Sequence, residues 1–461
     1  MSTDQGPQPH TFANELLRLI KLAAPLIVNN LALAGMGFAD TVMSGEIGAT
    51  TLAAVGVGSS VWMLFFLMAL GILMAISPLG ARHVGGGRPT EVGRYARQGL
   101  WLALGLAALI FVSVRFGARP FVYTIGIDPE FRDLTIDYLQ AVCIGAPAIC
   151  LYLVLRYTTE AVGRTLPIMV VSIIGLVVNV VGNYAFMFGN LGAPALGAKG
   201  AGIASAIMMW SMLVFLLLHM ATSRHYRPYR LFAFGGGPRG GYLREIIGLG
   251  VPIMVSVLAE AGLFAAVSLI MGKLSASIAA AHQVALNYAS TMFMIPMGLN
   301  SAITVLVSNA IGRNEIALAR MRGYLGIGVC GAFMAVSATF MLVFSDSIVN
   351  LYSRDGEVQA IALSLLFVAA VFQISDGIQV GAAGALRGLQ DTKVPMFLTT
   401  LSYWVIAFPL AYSAALTMRL SPAMIWSGFV VGLTVSAVLL VSRYRWVSQQ
   451  TDRLTALADQ A

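Results

Sequence analysis

The chain has 461 residues, of which 58% are hydrophobic and only 10% charged, with a net charge of +8 and a mean hydropathy of +0.83. A soluble chain carries about 25% charged residues, so this composition argues against a water-soluble globular protein and calls for lipid as the solvent of most of the sequence. The 48 glycines fit that reading, because small residues let membrane helices approach closely.

The first segment, Met1–Asn14, is polar, lacks Lys and Arg, and runs into a full-length apolar stretch. No cleavable signal peptide is visible, so the first span is expected to be retained. A membrane helix needs about 20 mostly apolar residues. Twelve such spans are predicted, at 17–43, 52–80, 95–117, 134–160, 167–189, 199–222, 244–272, 278–310, 322–344, 358–385, 395–416 and 423–443. The longest polar connection, Ser223–Gly241, holds Arg224, Arg227, Arg230 and Arg239 and the run Gly235–Gly237. It divides the chain into an N-terminal cytoplasmic tail (1–16), an N-lobe (17–222), a cytoplasmic linker (223–243), a C-lobe (244–443) and a C-terminal cytoplasmic tail (444–461).

With the N-terminus inside, 21 of the 28 basic residues fall on the inner side. The seven on the outer side are Arg115, Arg119, Arg132, Lys199, Lys273, Arg354 and Arg419. Such a bias predicts an even number of spans with both termini cytoplasmic. The net positive charge is therefore a matter of topology, and no nucleic-acid partner is expected.

A shift of 227 in the numbering overlays the two halves. Leu22–Val28 falls on Leu249–Val255, Gly45 on Gly272, Gly71 on Gly298, Ala75-Ile76 on Ala302-Ile303, and Val84-Gly85 on Ile311-Gly312; a shift of 228 places Pro167 on Pro395. Six spans per repeat give parallel halves related by an axis along the membrane normal, the arrangement of a rocking transporter.

Three acids stand inside apolar spans without a Lys or Arg within one helical turn: Asp40 in span one, Glu260 in span seven and Asp376 in span ten. An intramembrane charge is costly, so such an acid takes a proton, a metal cation or a cationic substrate. The competing reading is a permanently protonated acid hydrogen-bonded to a neighbouring helix or, for Asp40, a solvated helix end. Asn179 and Asn183 share a face of span five, four residues apart. Asn29 and Asp40, eleven residues apart, also align. Ser256, Glu260 and Phe264 share a face of span seven, where the ring could attract a lipophilic cation. The plain alternatives are that the amides join helices and that Phe264 packs. Span eight offers Gln283, Asn287 and Tyr288 to the mouth of a cavity, or to helix packing; His282 is a weaker candidate for proton transfer.

Cys143, Cys150 and Cys330 lie in apolar runs without CxxC or His at ligand spacing, which argues for small buried residues rather than a disulfide or metal site. No Walker A pattern, Ser–His–Asp set or metal-ligand cluster is visible. No enzymatic chemistry and no cofactor are expected.

The segment Gly384-Ala-Leu-Arg387-Gly-Leu-Gln390-Asp391-Thr-Lys-Val-Pro395 resembles the signature of the multidrug and toxic compound extrusion (MATE) family, and Glu160-Ala-Val-Gly163-Arg-Thr-Leu-Pro167 resembles its first-half counterpart. Ala24-Pro25, Ala39-Asp40-Thr41, Gly200–Ala204 and Ala281–Asn287 are similar to the family as well, so the resemblance covers about residues 15–445. The pair Glu260 and Asp376 resembles the NorM branch. The resemblance implies an all-α integral membrane protein of twelve helices, in two six-helix bundles around a V-shaped central cavity. It implies a multi-pass, monomeric protein of the bacterial inner membrane, surrounded by lipid, that exports lipophilic and often cationic drugs by secondary antiport against Na+ or H+. It carries Glu260 and Asp376 to a C-lobe cation site (Na+ ligands, if sodium is the coupling ion) and Asp40, Asn179 and Asn183 to an N-lobe acidic site. Gln283 and Asp355 match positions near the outer cavity mouth. Phe372 stands where some relatives have Tyr, which removes a phenol oxygen one turn before Asp376. A flippase for a lipid-linked precursor, of related two-lobed architecture, is the alternative. Its cavity calls for a basic cluster, whereas the deep charges here are acidic. An ion channel is a third reading, disfavoured by the doubled architecture.

Overall fold

The computed structural model describes residues 11–233, 237–418 and 420–460. Residues 1–10 of the N-terminal tail, Gly235 and Gly236 of the linker, and Arg419 of the outer-side count lie outside the described residues. The described residues are helical and contain no strand.

Twelve helices are long and apolar enough to cross a membrane. They are α1 (Phe12–Ile47), α2 (Ala49–Gly85), α3 (Pro89–Ile125), α4 (Pro129–Ala161), α5 (Leu166–Phe186), α6 (Ala198–Thr222), α7 (Gly240–Leu274), α8 (Ala276–Gly312), α9 (Ile316–Val343), α10 (Gly356–Gly388), α11 (Lys393–Thr417) and α12 (Pro422–Ser448). Each overlays one predicted span. Several run longer, because hydropathy marks only the part in hydrocarbon while the helix continues into the headgroups. Local chemistry sets their ends. Pro129 opens α4 behind Asp128, whose carboxylate accepts from Glu130 N; Ser275 caps α8 by accepting from Ile278 N; Gly126 ends α3 in the left-handed conformation at φ 74°. Most of the described residues assigned to the C-terminal tail are helical. Tyr444–Ser448 completes α12, and Thr451–Asp459 forms a further short helix held by Leu454, which is buried. The three cysteines are buried and unpaired.

The helices group into two compact units. One comprises residues 28–84 and 88–258, the other residues 1–27, 85–87 and 259–461. The division therefore runs through the middle of α1 and of α7, whereas the lobe boundaries read from sequence fall at the linker. The first half of each repeat's opening helix packs with the other repeat. The reason is close approach at two glycines. A Cβ on Gly71 (α2) would lie 2.4 Å from Met254 Cα (α7), and a Cβ on Gly298 (α8) would lie 2.8 Å from Ile27 N (α1). The pairs Gly71–Met254 and Ile27–Gly298 are related by the same shift of 227 that overlays the halves, so one register makes the crossing twice. Each crossing is then fixed by an acid. Glu15 in α1 is fully buried and its Oε2 accepts from Arg322 Nε in α9 at 2.7 Å. Glu245 in α7 accepts from Tyr95 OH in α3 and from Arg82 Nη2 at 3.2 Å. Tyr95 and Arg322 occupy equivalent positions of the repeat, again under the shift of 227.

The segment that resembles the family signature has a visible structural role. Asn300 Nδ2, Thr304 Oγ1 and Ser308 Oγ, spaced four apart on α8, lie 2.7, 2.9 and 2.9 Å from the carbonyl oxygens of Val380, Gly384 and Gly388, spaced four apart on α10. Polar side chains that bond across helices in lipid favour one helix register. At its end, Asp391 accepts from Arg443 Nε at 2.7 Å and pairs with Arg453 at 3.8 Å, which ties α12 and the C-terminal helix to the motif.

Candidate functional site

Asp40 reaches the packed interior of its unit from the last third of α1. Its Oδ1 accepts from Asn183 Nδ2 at 2.6 Å and from Asn179 Nδ2 at 3.0 Å, both from α5, and its Oδ2 accepts from Ser205 Oγ of α6 at 3.4 Å. Both asparagines are fully buried. Their own Oδ1 atoms have no hydrogen-bond partner. Tyr138 of α4, also buried, lies close enough to feel the Asp40 charge. Gly58 makes room for it, since a Cβ there would stand 2.4 Å from the Tyr138 ring. Among the described residues no Lys or Arg pairs with Asp40. A carboxylate is thus surrounded by neutral donors and two spare carbonyl oxygens, a setting suited to a proton or a monovalent cation.

The second unit holds the other two acids. Glu260 of α7 and Asp376 of α10 lie close enough for their charges to interact. Gln379, one turn beyond Asp376, offers its Nε2 to Asp376 Oδ1 at 3.5 Å. Gln379 Oε1 accepts from Tyr403 OH of α11 and Ser436 Oγ of α12, each at 2.6 Å. Tyr403 lies within electrostatic range of both acids. It projects from a π-helical stretch, Leu401–Ala407, a distortion that re-aims side chains and is frequent at functional positions. The same stretch sends Trp404 Nε1 to Ala259 O at 3.1 Å. Gly262 permits this, since a Cβ there would come within 3.0 Å of the indole. Arg387 also acts on Glu260 electrostatically while its Nη1 donates to Asn300 Oδ1 at 2.9 Å. Among the described residues no group of three or more His, Cys, Asp or Glu is arranged to hold a metal ion.

The other sequence candidates separate. Phe264 stacks on Phe429 at 4.6 Å and faces Phe372 at 6.4 Å, so its ring is engaged in packing. Phe372 is buried in that cluster with Trp426, and the phenol that stands near the two acids comes from Tyr403 instead. Gln283 and Asn287 are exposed on one face of α8, and Tyr288 is buried. Asp355 accepts from Glu357 N at 2.8 Å and Val358 N at 3.3 Å as the N-cap of α10. His282 Nδ1 accepts from Trp426 Nε1 at 3.1 Å and its Nε2 meets Ser268 Oγ at 2.8 Å. The indole N–H can only donate, so Nε2 carries the ring proton and the histidine acts as a buttress between helices. Asn29 aligns with Asp40 along α1 but sits beside Asn30, 3.1 Å away, and with its amide turned accepts from Arg156 Nη2 at 3.2 Å. A further buried acid, Glu160 at the end of α4, accepts from Ser77 Oγ at 3.3 Å.

The sequence pattern does not single out Tyr138, Ser205, Gln379, Tyr403, Ser436 or Arg387 as site residues. Ser205 and Ser436 carry no sequence signal, because small polar residues are common in membrane helices. Gln379 carries one: it lies three residues from Asp376 in a buried apolar span.

The MatE family model matches this chain twice, at residues 25–185 and 252–413, the two starts being related by the shift of 227 already seen in the repeat. "Probable multidrug resistance protein NorM" of Xanthomonas axonopodis pv. citri is 40% identical over 458 residues, covering 99% of each chain. "Multidrug resistance protein NorM" of Aliivibrio fischeri is 36% identical over 455 residues, 98% of this chain and 99% of the relative. Among solved structures, an outward-facing conformation of a multidrug resistance MATE family transporter of the MOP superfamily superposes with a TM-score of 0.87 at 19% identity, over 96% of this chain and 97% of that one. The doubled family match, the register of the repeat and the full-length relatives together establish that this chain belongs to the MatE family of membrane transporters.

Proposed function

We propose that this protein exports lipophilic, often cationic drugs across the bacterial inner membrane by secondary antiport against Na+ or H+, with both termini cytoplasmic. The observation that carries this reading is the gathering of three intramembrane acids into two separate clusters, neither of which, among the described residues, holds a carboxylate–cation pair within hydrogen-bond distance. The names of the full-length relatives support the class of cargo, and the 3:1 distribution of basic residues supports the orientation.

In this reading Glu260 and Asp376 bind the coupling cation. Two acids close together repel one another, and one bound proton or Na+ relieves that repulsion. Gln379, held by Tyr403 and Ser436, positions Asp376. Its Oε1 already accepts two hydrogen bonds, so the carboxylates themselves are the ligands for the ion. Asp40, with Asn179 and Asn183, forms the N-lobe site for a proton or for the cationic part of a drug. Cation and drug compete for the same acids, and each promotes release of the other. Linkage makes this effect reciprocal.

Equilibrium binding of ethidium to the purified protein tests the competition directly. Rising Na+ or falling pH is expected to weaken dye binding, and dye to weaken cation binding by the same factor. The Glu260→Gln/Asp376→Asn double variant should bind dye more weakly and without dependence on Na+, any remaining pH dependence being that of Asp40. Dye affinity independent of both ions in the wild type would overturn the reading.

A further inference from the structure

Outside both acid clusters, the beginning of α3 and the mid-chain linker border a cavity of about 320 Å³ whose lining includes Arg94, Arg97, Gln98, Arg230, Arg239 and Tyr242. Its volume falls in the range of ligand sites, about 300–1,000 Å³. The transport reading makes no use of it.

The wall of this cavity is built, since the linker is docked onto the helix at several points. A Cβ on Gly93 would lie 1.8 Å from Tyr229 O, so only glycine lets the linker approach. The side chain of Gln98 is buried and clamps the linker backbone in both directions, its Nε2 donating to Gly237 O at 3.3 Å and its Oε1 accepting from Arg239 N at 2.7 Å. Arg97 Nη1 donates to the carbonyl of Arg230, and Arg230 holds a left-handed backbone at φ 47°, a conformation disfavoured for a side-chain-bearing residue. This arrangement brings guanidinium groups together that repel one another: Arg97 feels the charges of Arg94 and Arg239. The nearby carboxylate, Glu91, is engaged by Arg94 and by Tyr242 OH. Among the described residues Arg97, Arg230 and Arg239 have no carboxylate partner within hydrogen-bond distance, so three positive charges converge on one cavity, where the charge of Glu91 acts on Arg97 only from a distance.

The depth of the cavity follows from the helix. Arg97 and Arg115 bracket an uncharged run, Gln98–Val114. At about 1.5 Å per residue the two arginines stand about 27 Å apart, close to the thickness of the hydrocarbon core at about 30 Å. Arg97 therefore sits at the boundary with the headgroups, on the side that carries most of the basic residues. Trp101, one turn further in and 47% exposed, has the character of an interfacial anchor.

We infer that this cavity is a binding site for a phosphate-bearing anion. Arginine forks match phosphate oxygens in bidentate fashion, and basic pockets at this depth take anionic lipid headgroups. A bound phosphate would offset part of the charge of the three arginines and help hold the linker on α3. The group comes either from an anionic phospholipid or from a soluble phosphate, and the two are separable.

The test uses the full-length protein. Native mass spectrometry of protein released from mixed phosphatidylcholine and phosphatidylglycerol membranes reads lipid retention. Calorimetry with inorganic phosphate and pyrophosphate, on protein in pure phosphatidylcholine nanodiscs, reads the soluble source. One phosphatidylglycerol retained per wild-type chain, reduced about tenfold in the Arg97→Gln/Arg230→Gln/Arg239→Gln variant, assigns the site to lipid. Phosphate heats in the wild type that vanish in the variant assign it to a soluble anion. Equal lipid retention in both proteins together with no phosphate heat in either overturns the inference. If the triple variant does not fold, the single variants Arg97→Gln, Arg230→Gln and Arg239→Gln are read in the same two assays. Each is expected to weaken binding about two- to fivefold, and three unchanged single variants overturn the inference equally. Thermal unfolding in phosphatidylcholine checks that each variant retains its fold.

Discussion

Asp40 accepts from two amides whose own oxygens have no donor, and this asymmetry separates a structural acid from a working one. Both Nδ2 groups meet Oδ1, while Oδ2 faces only a serine hydroxyl, which can accept as well as donate. An amide in place of the Asp40 carboxylate would therefore fit the same site. Asp40→Asn is expected to leave thermal stability unchanged or higher, while dye efflux falls by about tenfold or more. Unchanged efflux with a lower melting temperature would make Asp40 a packing residue. In the other cluster, Tyr403→Phe removes one of two donors to the buried Gln379 Oε1. The expected cost is about 1–2 kcal/mol of stability, together with a shift in the cation concentration that half-saturates transport. An unshifted cation dependence would limit Tyr403 to a structural part. That Asn179 and Asn183 share a face of α5 was legible from their spacing of four, whereas their meeting with Asp40 was implied by the family resemblance alone. Tyr403 was not legible, since it reaches Gln379 from a π-helical stretch that hydropathy cannot reveal. Phe264 stands one turn from Glu260, and the sequence could not show that its ring also stacks on Phe429 within an aromatic cluster.

At the scale of elements, the crossings of α1 with α8 and of α7 with α2 depend on glycine. A methyl group at Gly71 or Gly298 meets neighbouring backbone, which cannot move as a side chain can. Gly71→Ala and Gly298→Ala are each expected to cost about 1–3 kcal/mol, read as lower melting temperatures in detergent. Gly105→Ala, where a Cβ meets nothing within 4 Å, should be neutral or slightly stabilising. Equal melting temperatures for all three would contradict the close crossing. Glu15 and Arg322 are nearly inaccessible, so Glu15→Gln leaves a buried guanidinium short of its counter-charge. A loss of about 3–5 kcal/mol is expected, checked by the same measurement; a change below about 1 kcal/mol would show that the pair is hydrated. The internal repeat was legible in the sequence, because it resides in the order of small and apolar residues. The exchange of half-helices was not, because hydropathy records that a face is apolar and says nothing of which helix covers it.

For the whole molecule, composition and periodicity were sufficient for twelve spans, since lipid forces every backbone polar group into a helix. The division into two compact units cuts α1 and α7 near Ile27 and Leu258, a matter of packing on which hydropathy is silent. The repeat duplicates the scaffold, while the acids are not duplicated: the counterpart of Asp40 is Val267, and the pair Glu260 and Asp376 belongs to the second half alone. Two similar frames thus carry different charges, and in the proposed mechanism the second-half pair couples an ion to drug export. Dye efflux from proteoliposomes, with the Na+ gradient and the pH gradient imposed separately, tests it most directly. Efflux driven by at least one gradient is expected in the wild type, and no response to either gradient in Glu260→Gln and in Asp376→Asn. Dye flux in the wild type that ignores both gradients, or normal coupling in both variants, would contradict it.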